Sequence, residues 1–174
     1  NIQALERPFC IMANTQAIYS GSFDPVTQGH LDIIRRAAQL FGAVRVVVLA
    51  NPQKKTLFTA AERVALLHQV TADIPGVTVD SFDGLLVDYM RKHQLTVLVR
   101  GVRNAADLEN EQAYAYANKL LLPALQSVLL PADPALRFVS SSAVRDAWAF
   151  GSELPGAVPP PVAQALRAKL NTSK

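Results

Sequence analysis

The sequence predicts a single-domain α/β protein, a doubly wound parallel sheet of five strands with helices on both faces, and three observations predict it. Short β-rich runs alternate with helical segments along the whole chain. Apolar runs such as Val46 to Leu49 have no polar alternation, as in a strand covered on both faces. The length, 174 residues, suits one domain able to bury roughly 70% of its unfolded surface. Right-handed crossovers then give a Rossmann-like arrangement, with ligands beyond the carboxyl ends of the strands where their order reverses.

The elements follow in order. "AIYS" (17–20), "VRVVVLA" (44–50), "VTVDSF" (77–82), "TVLVRG" (96–101) and "SVLLPA" (127–132) read as the five strands. After the first, Leu31, Ile34, Ala38 and Phe41 fall on one face of a helix. Thr59 and Glu62 form a capping box that starts the second helix. Further helices fit 84–93, 105–121 and 140–150. The proline-rich run 154–161 cannot continue the last of these, so "PVAQALRAKL" begins a final amphipathic helix. Trp148 and the apolar stripes read as core, His68 and His93 as surface. Residues 1–16 read as an unstructured extension, with Met12 as the expected natural initiator and the eleven residues before it an upstream extension or expression remnant; 17–174 form the domain.

Half of the residues are hydrophobic, yet no run approaches the ~20 apolar positions that a membrane-spanning helix requires. The net charge of +3, from 17 basic and 14 acidic residues, admits anionic partners without forming a nucleic-acid footprint. Cys10 is the only cysteine, which excludes an intrachain disulfide and fits a reducing cytoplasm.

Placed on that sheet, the polar residues gather at one edge. His30 begins the first helix, Lys54 follows the second strand, Arg100 and Arg103 follow the fourth, and Ser140, Ser141 and Ser142 open the fifth helix. Cations and helix N-termini facing one edge predict a phosphate-rich ligand. The loop "YSGSFDPVTQGH" (19–30) has neither the Gly-Lys-Ser/Thr ending of a P-loop nor the dinucleotide fingerprint. It can still present N–H groups, the Thr27 hydroxyl and the His30 imidazole to one phosphate. Arg100 continues the buried run "TVLV", so its charge demands a partner. One of the three serines is expected to cap its helix.

"TQGH" resembles the T/H-x-G-H signature of nucleotidyltransferases. "YSGSFDPVTQGHLDII", "NPQKKTLFTAAERVAL", "LVRGVRNAADLENE" and "FVSSSAVRD" resemble, in that order, successive motifs of the bacterial phosphopantetheine adenylyltransferases. The likeness runs from about Ala17 to Leu170. Three positions depart from the family's usual pattern: Ser20 replaces proline, Gln28 replaces asparagine, and Asn110 stands where an aromatic residue is common.

The resemblance implies transfer of the adenylyl group of ATP to 4′-phosphopantetheine, giving dephospho-coenzyme A and pyrophosphate, with magnesium arriving on ATP. It implies that His30 stabilises the transition state and that Ser22, Lys54 and Arg100 hold the attacking phosphate. Lys54 is preferred over Lys55 by motif alignment alone. ATP would lie against Ser22, Phe23, His30, Gly101, Val102, Arg103, Glu111 and the segment Leu136, Arg137, Phe138, Val139, Ser140, Ser141, Ser142. Leu85, Leu86 and Asn118 would line the pantetheine channel. A cytoplasmic homohexamer, with coenzyme A as an inhibitor and no nucleic-acid or membrane partner, belongs to the same expectation. The competing readings are a nucleotidyltransferase for nicotinamide mononucleotide or a CDP-alcohol and, from another class, a basic nucleic-acid-binding module.

Overall fold

The structure is a computed structural model that describes residues 15–50 and 55–172. Five strands, β1 (Gln16–Gly21), β2 (Ala43–Ala50), β3 (Val77–Asp83), β4 (Val97–Val102) and β5 (Gln126–Pro131), form one sheet in the order β3-β2-β1-β4-β5. Every pairing is parallel, with Tyr19 opposite Val46 on one side and Val99 on the other. The expected fold class is therefore present, and the order reverses between β1 and β4.

The helices are α1 (Gln28–Phe41), α2 (Ala60–Thr71), α3 (Leu86–Lys92), α4 (Ala105–Leu121), α5 (Ser141–Ala149) and α6 (Pro160–Thr172). α6 starts inside the proline-rich run, since proline in the first turn forfeits no helical hydrogen bond. Among the described residues no helix is long and apolar enough to cross a membrane. Of the extension expected over 1–16, residues 1–14 lie outside the described residues, while Gln16 opens β1 opposite Ala43.

Two apolar layers cover the sheet. On one face Leu31, Ile34, Phe41, Leu67, Val144 and Trp148 pack against Val46 and Val99. On the other, Leu86, Tyr89 and Met90 pack against Ile18, Val47 and Leu98. Val46 to Val48 are fully buried, which is why their run shows no alternation. His68 is exposed, as read from the sequence, but His93 is half-buried. Arg45 Nη1 lies 2.8 Å from its Nδ1, and its ring lies 4.3 Å from that of Tyr89. A histidine ring at a helix end is apolar enough to fill such a gap beside an aromatic neighbour.

The link from α2 to β3 turns at Gly76, whose φ is +76°. A Cβ there would stand 2.1 Å from the Gly42 carbonyl oxygen, and the Gly76 carbonyl accepts the Val44 N–H at 2.9 Å. Both neighbours are backbone and cannot step aside. Gly76→Ala should therefore cost at least about 2 kcal/mol, a fall in Tm of roughly 4–8 °C for a domain of this size. Thermal denaturation followed by circular dichroism checks this, and a Tm within a degree of the parent contradicts it.

Candidate active site

The strand reversal opens a cleft of about 410 Å³. Its floor is Tyr19, Ser20 and Gly21 at the end of β1 and Arg100 and Gly101 at the end of β4; α1 supplies Gly29, His30 and Ile33, α4 supplies Asp107, Asn110 and Glu111, and Ser141 and Ser142 open α5. Gly101 is glycine for a packing reason: a Cβ would meet Ile33 Cγ1 at 2.9 Å, so its absence lets α1 lie close over β4.

His30 occupies the third position of α1 and closes a capping box with Thr27. The Thr27 backbone N–H donates to His30 Nδ1 at 3.0 Å, and the Thr27 hydroxyl accepts the His30 N–H at 3.4 Å. Capping residue and ligand-facing residue are thus the same side chain. With Nδ1 occupied as an acceptor, the neutral ring carries its proton on Nε2, the nitrogen left for a ligand. Burial, assisted by the charges of Arg100 and Arg103, lowers the His30 pKa to about 4. Beneath it lies Phe23, 1% exposed, its ring edge-on 5.0 Å from the imidazole and 5.5 Å from Tyr19. Phe23 has φ +46°, a conformation an aromatic residue holds only when its surroundings enforce it.

The enforcing contacts come from a polar clamp. Asp24, buried, accepts the amides of Leu57 and Phe58 at 2.8 and 2.9 Å. Arg145 of α5 donates to the Asp24 carbonyl, and buried Arg63 of α2 donates to the Ser22 carbonyl at 2.7 Å. The hydroxyl of Ser141 donates to the Pro25 carbonyl at 2.9 Å. Ser140 is the serine that caps α5, accepting the Ala143 N–H at 3.1 Å, and Ser142 accepts from Arg145 at 3.4 Å. The backbone amides of Gly29, Ser141 and Ser142 find no acceptor among the described residues. Each lies in the first turn of a helix beside the cleft, where such amides bind anions.

Both arginines of the cleft are held by α4. Arg100 donates through Nε and Nη2 to the two carboxylate oxygens of Glu111 at 2.8 and 2.7 Å, and through Nη1 to the Ser20 carbonyl at 2.6 Å. Arg103 donates to Asp107 at 2.7 and 3.1 Å. The cleft therefore presents a neutral donor imidazole, two oriented guanidiniums and free helix amides, a surface for a polyanion.

Residues 18–147 match the Cytidylyltransferase-like family. The chain is also 47% identical over 152 residues to the phosphopantetheine adenylyltransferase of Shouchella clausii, which covers 87% of this chain and 96% of that one. It is 46% identical over 157 residues to the enzyme of that name from Caldanaerobacter subterraneus subsp. tengcongensis, covering 90% and 98%. For the one from Moorella thermoacetica the identity is 49% over 150 residues, covering 86% and 94%. This chain belongs to the phosphopantetheine adenylyltransferase family.

Of the residues to which the family resemblance gives a role, the cleft gathers Ser22, Phe23, His30, Arg100, Gly101, Arg103, Glu111, Leu136, Val139, Ser140, Ser141 and Ser142. Among the described residues it does not gather Val102, Arg137, Phe138, Leu85, Leu86 or Asn118. Val102 pairs with Pro131 at the sheet end, and Arg137 lies exposed with its guanidinium 5.0 Å from the ring of Phe138, itself 84% exposed. Leu85 is exposed ahead of α3, Leu86 is buried in the core, and Asn118 is buried, its Nδ2 without a partner among the described residues. Lys54 lies outside the described residues. Sequence reasoning missed Asp24, Arg63, Asp107 and Arg145 as supports of the site; the only local signal was the spacing of four between Asp107 and Glu111, which puts both on one helix face.

The imidazole should stay neutral through the physiological range. In the folded protein His30 takes up a proton only as pH falls towards about 4, whereas the unfolded chain does so near 6.5. The unfolded state therefore binds more protons between those values, so this group weakens the fold as pH falls through that window and has no effect above it. Two-dimensional NMR of the imidazole nitrogens should give a pKa well below 6.5 with the proton on Nε2; a value of 6.5 or higher, or a proton on Nδ1, contradicts the assignment.

Proposed function

We propose that the chain joins ATP and 4′-phosphopantetheine to give dephospho-coenzyme A and pyrophosphate, a step of coenzyme A biosynthesis. Family membership supports the reading, and one observation carries it: a neutral histidine with its Nδ1 occupied faces the same cleft as two oriented arginines. The site is built to position anions and not to remove a proton.

The reaction needs no general base, because the attacking phosphate monoester has a second pKa near 6 and is largely dianionic at neutral pH. An oxygen of the 4′-phosphate forms a bond to the α-phosphorus as the bond from that phosphorus to the β-phosphate oxygen breaks, and pyrophosphate leaves with the electron pair. What remains is in-line placement and neutralisation of the charge that builds on the α-phosphoryl oxygens. His30 donates Nε2–H to that charge. On this reading Arg103, Gly101, Val102, Glu111 and the segment 136–142 hold ATP, with Phe23 beneath His30. Ser22, Lys54 and Arg100 hold the acceptor phosphate, and Leu85, Leu86 and Asn118 take the pantetheine arm.

Magnesium would arrive with ATP, bound mainly through phosphate oxygens and water, and would supply positive charge to offset that of the phosphates. The fit is consistent with the donor set: the two carboxylates lining the cleft, Asp107 and Glu111, are each taken by an arginine. A cytoplasmic homohexamer, inhibited by coenzyme A, completes the proposal. The exposed Tyr116, Leu120 and Leu121 of α4 support assembly.

The acceptor decides between this reading and a transferase for nicotinamide mononucleotide or a CDP-alcohol. Incubation with nucleotide and each acceptor in turn should release pyrophosphate with 4′-phosphopantetheine and ATP; release with another pair alone overturns the proposal. His30→Ala should lower kcat by about 10²–10³-fold with little change in KM, because its hydrogen bond strengthens only in the transition state. A variant with near-normal kcat removes His30 from the chemistry.

The two substrates separate by cation. Lys54→Ala should weaken 4′-phosphopantetheine more than ATP, and Arg103→Ala the reverse, each by about tenfold or more for a lost charge-assisted contact. Calorimetry with each ligand alone measures this; the opposite pattern exchanges the two subsites.

A further inference from the structure

Four buried side-chain polar atoms have no hydrogen-bond partner among the described residues: Ser20 Oγ, Asn118 Nδ2, Ser127 Oγ and Trp148 Nε1. A buried hydroxyl left in this way lowers stability, whereas an apolar side chain of similar size would not. Of these four residues only Ser20 lines the cleft. It is 1% exposed, and it stands where the family usually has proline, which carries no hydroxyl. The fold therefore does not require a hydroxyl at this position.

The sheet register shows what shares its surroundings. Successive strand residues alternate between faces, so Ser20 is on the face of Ile18, which belongs to the apolar layer under α3, and not on that of Tyr19. Arg100 is on the same face, two residues after Leu98 of that layer, and its Nη1 donates to the Ser20 carbonyl at 2.6 Å. Leu86 belongs to this layer and Tyr114 of α4 packs on it, with Asn118 one turn further along the same helix face. Ser20 thus shares a sheet face with the arginine read as holding the acceptor phosphate and with the residues read as taking the pantetheine arm. Asn118, one of those residues, shows the same mark, a buried polar group without a partner among the described residues.

We infer that the Ser20 hydroxyl is a further substrate-binding group, which hydrogen-bonds the pantoyl unit of the acceptor. That unit adjoins the phosphate and offers a hydroxyl and an amide carbonyl, and a serine hydroxyl can pair with either. The inference rests on the acceptor reading given above, and its test separates the two. Calorimetry with 4′-phosphopantetheine and with ATP, each alone, compares the parent with Ser20→Ala and Ser20→Cys, at a temperature where circular dichroism finds each folded. The Tm of each ligand-free protein is measured alongside.

Ser20→Ala should weaken 4′-phosphopantetheine by about three- to tenfold, leave ATP within about twofold, and leave the ligand-free Tm unchanged or raised. Ser20→Cys fills the volume but donates only weakly, so it should lose acceptor affinity as well. Unchanged acceptor affinity in Ser20→Ala, an equal loss for ATP, or full acceptor affinity in Ser20→Cys overturns the inference. So does a ligand-free Tm lowered by more than about 2 °C in Ser20→Ala, which would give the hydroxyl a partner within the fold. A parent protein that does not bind 4′-phosphopantetheine overturns the acceptor reading and this inference with it.

Discussion

The Asp24 carboxylate is the constraint on which the cleft depends. A charge buried to 3% exposure persists only if hydrogen bonds replace its water, and the amides of Leu57 and Phe58 supply them. The consequence reaches three distant parts of the chain: the loop after β1 is pinned to the entry of α2, and α5 is drawn in by Arg145, 3.8 Å from the same carboxylate. Arg63 repeats the link from the opposite direction, donating from α2 to the Ser22 carbonyl. With the loop held at both places, Phe23 keeps its left-handed backbone and supports the imidazole from below.

That rigidity changes how charge is used. Arg100 and Arg103 arrive already paired, and His30 is neutral, so the cleft does not attract anions by bare charge as an open basic patch does. Its strength is that the donors need no reorientation when a ligand enters, so less side-chain freedom is lost at that moment. Charge of the opposite sign beside each arginine reduces ground-state attraction while preserving direction. For a reaction between two polyanions this is a sensible division, since excessive ground-state binding would raise affinity without raising turnover.

The strands were legible because burial on both faces leaves apolar runs that no exposed element would carry, and the Thr59–Glu62 box was legible because both partners are of the customary type. The matching box at α1 was not, since its reciprocal acceptor is His30 instead of Glu or Gln, and only the folded geometry reveals that Nδ1 plays that part. Asp24 and its partners were illegible for another reason: Asp24 and Phe58 stand 34 residues apart, and Asp24 and Arg145 stand 121 apart, so no local pattern connects them. The gathering of His30, Arg100, Arg103 and the three serines at one edge followed from topology alone. The roles of Leu85, Leu86 and Asn118 came solely from resemblance, and the geometry leaves those residues apart from the cleft.

The reversal of strand order also explains why the loops are built from small residues. A crossover to each side brings the first turns of α1 and α5 to the same opening, and each first turn begins with amides that the helix itself cannot satisfy. α1 uses its threonine hydroxyl on His30 and the Ala157 carbonyl on Gln28, leaving the amide of Gly29; α5 uses Ser140 on Ala143, leaving those of Ser141 and Ser142. At Gly29 a Cβ would make only ordinary contacts, 3.6 Å from the Thr27 hydroxyl, so the fold alone does not demand glycine there. What glycine removes is bulk over an unsatisfied amide, and that matters only when something else must reach it. The sequence has therefore kept its open N–H groups where the two crossovers converge, at a cleft where a single polyphosphate can meet both helices at once.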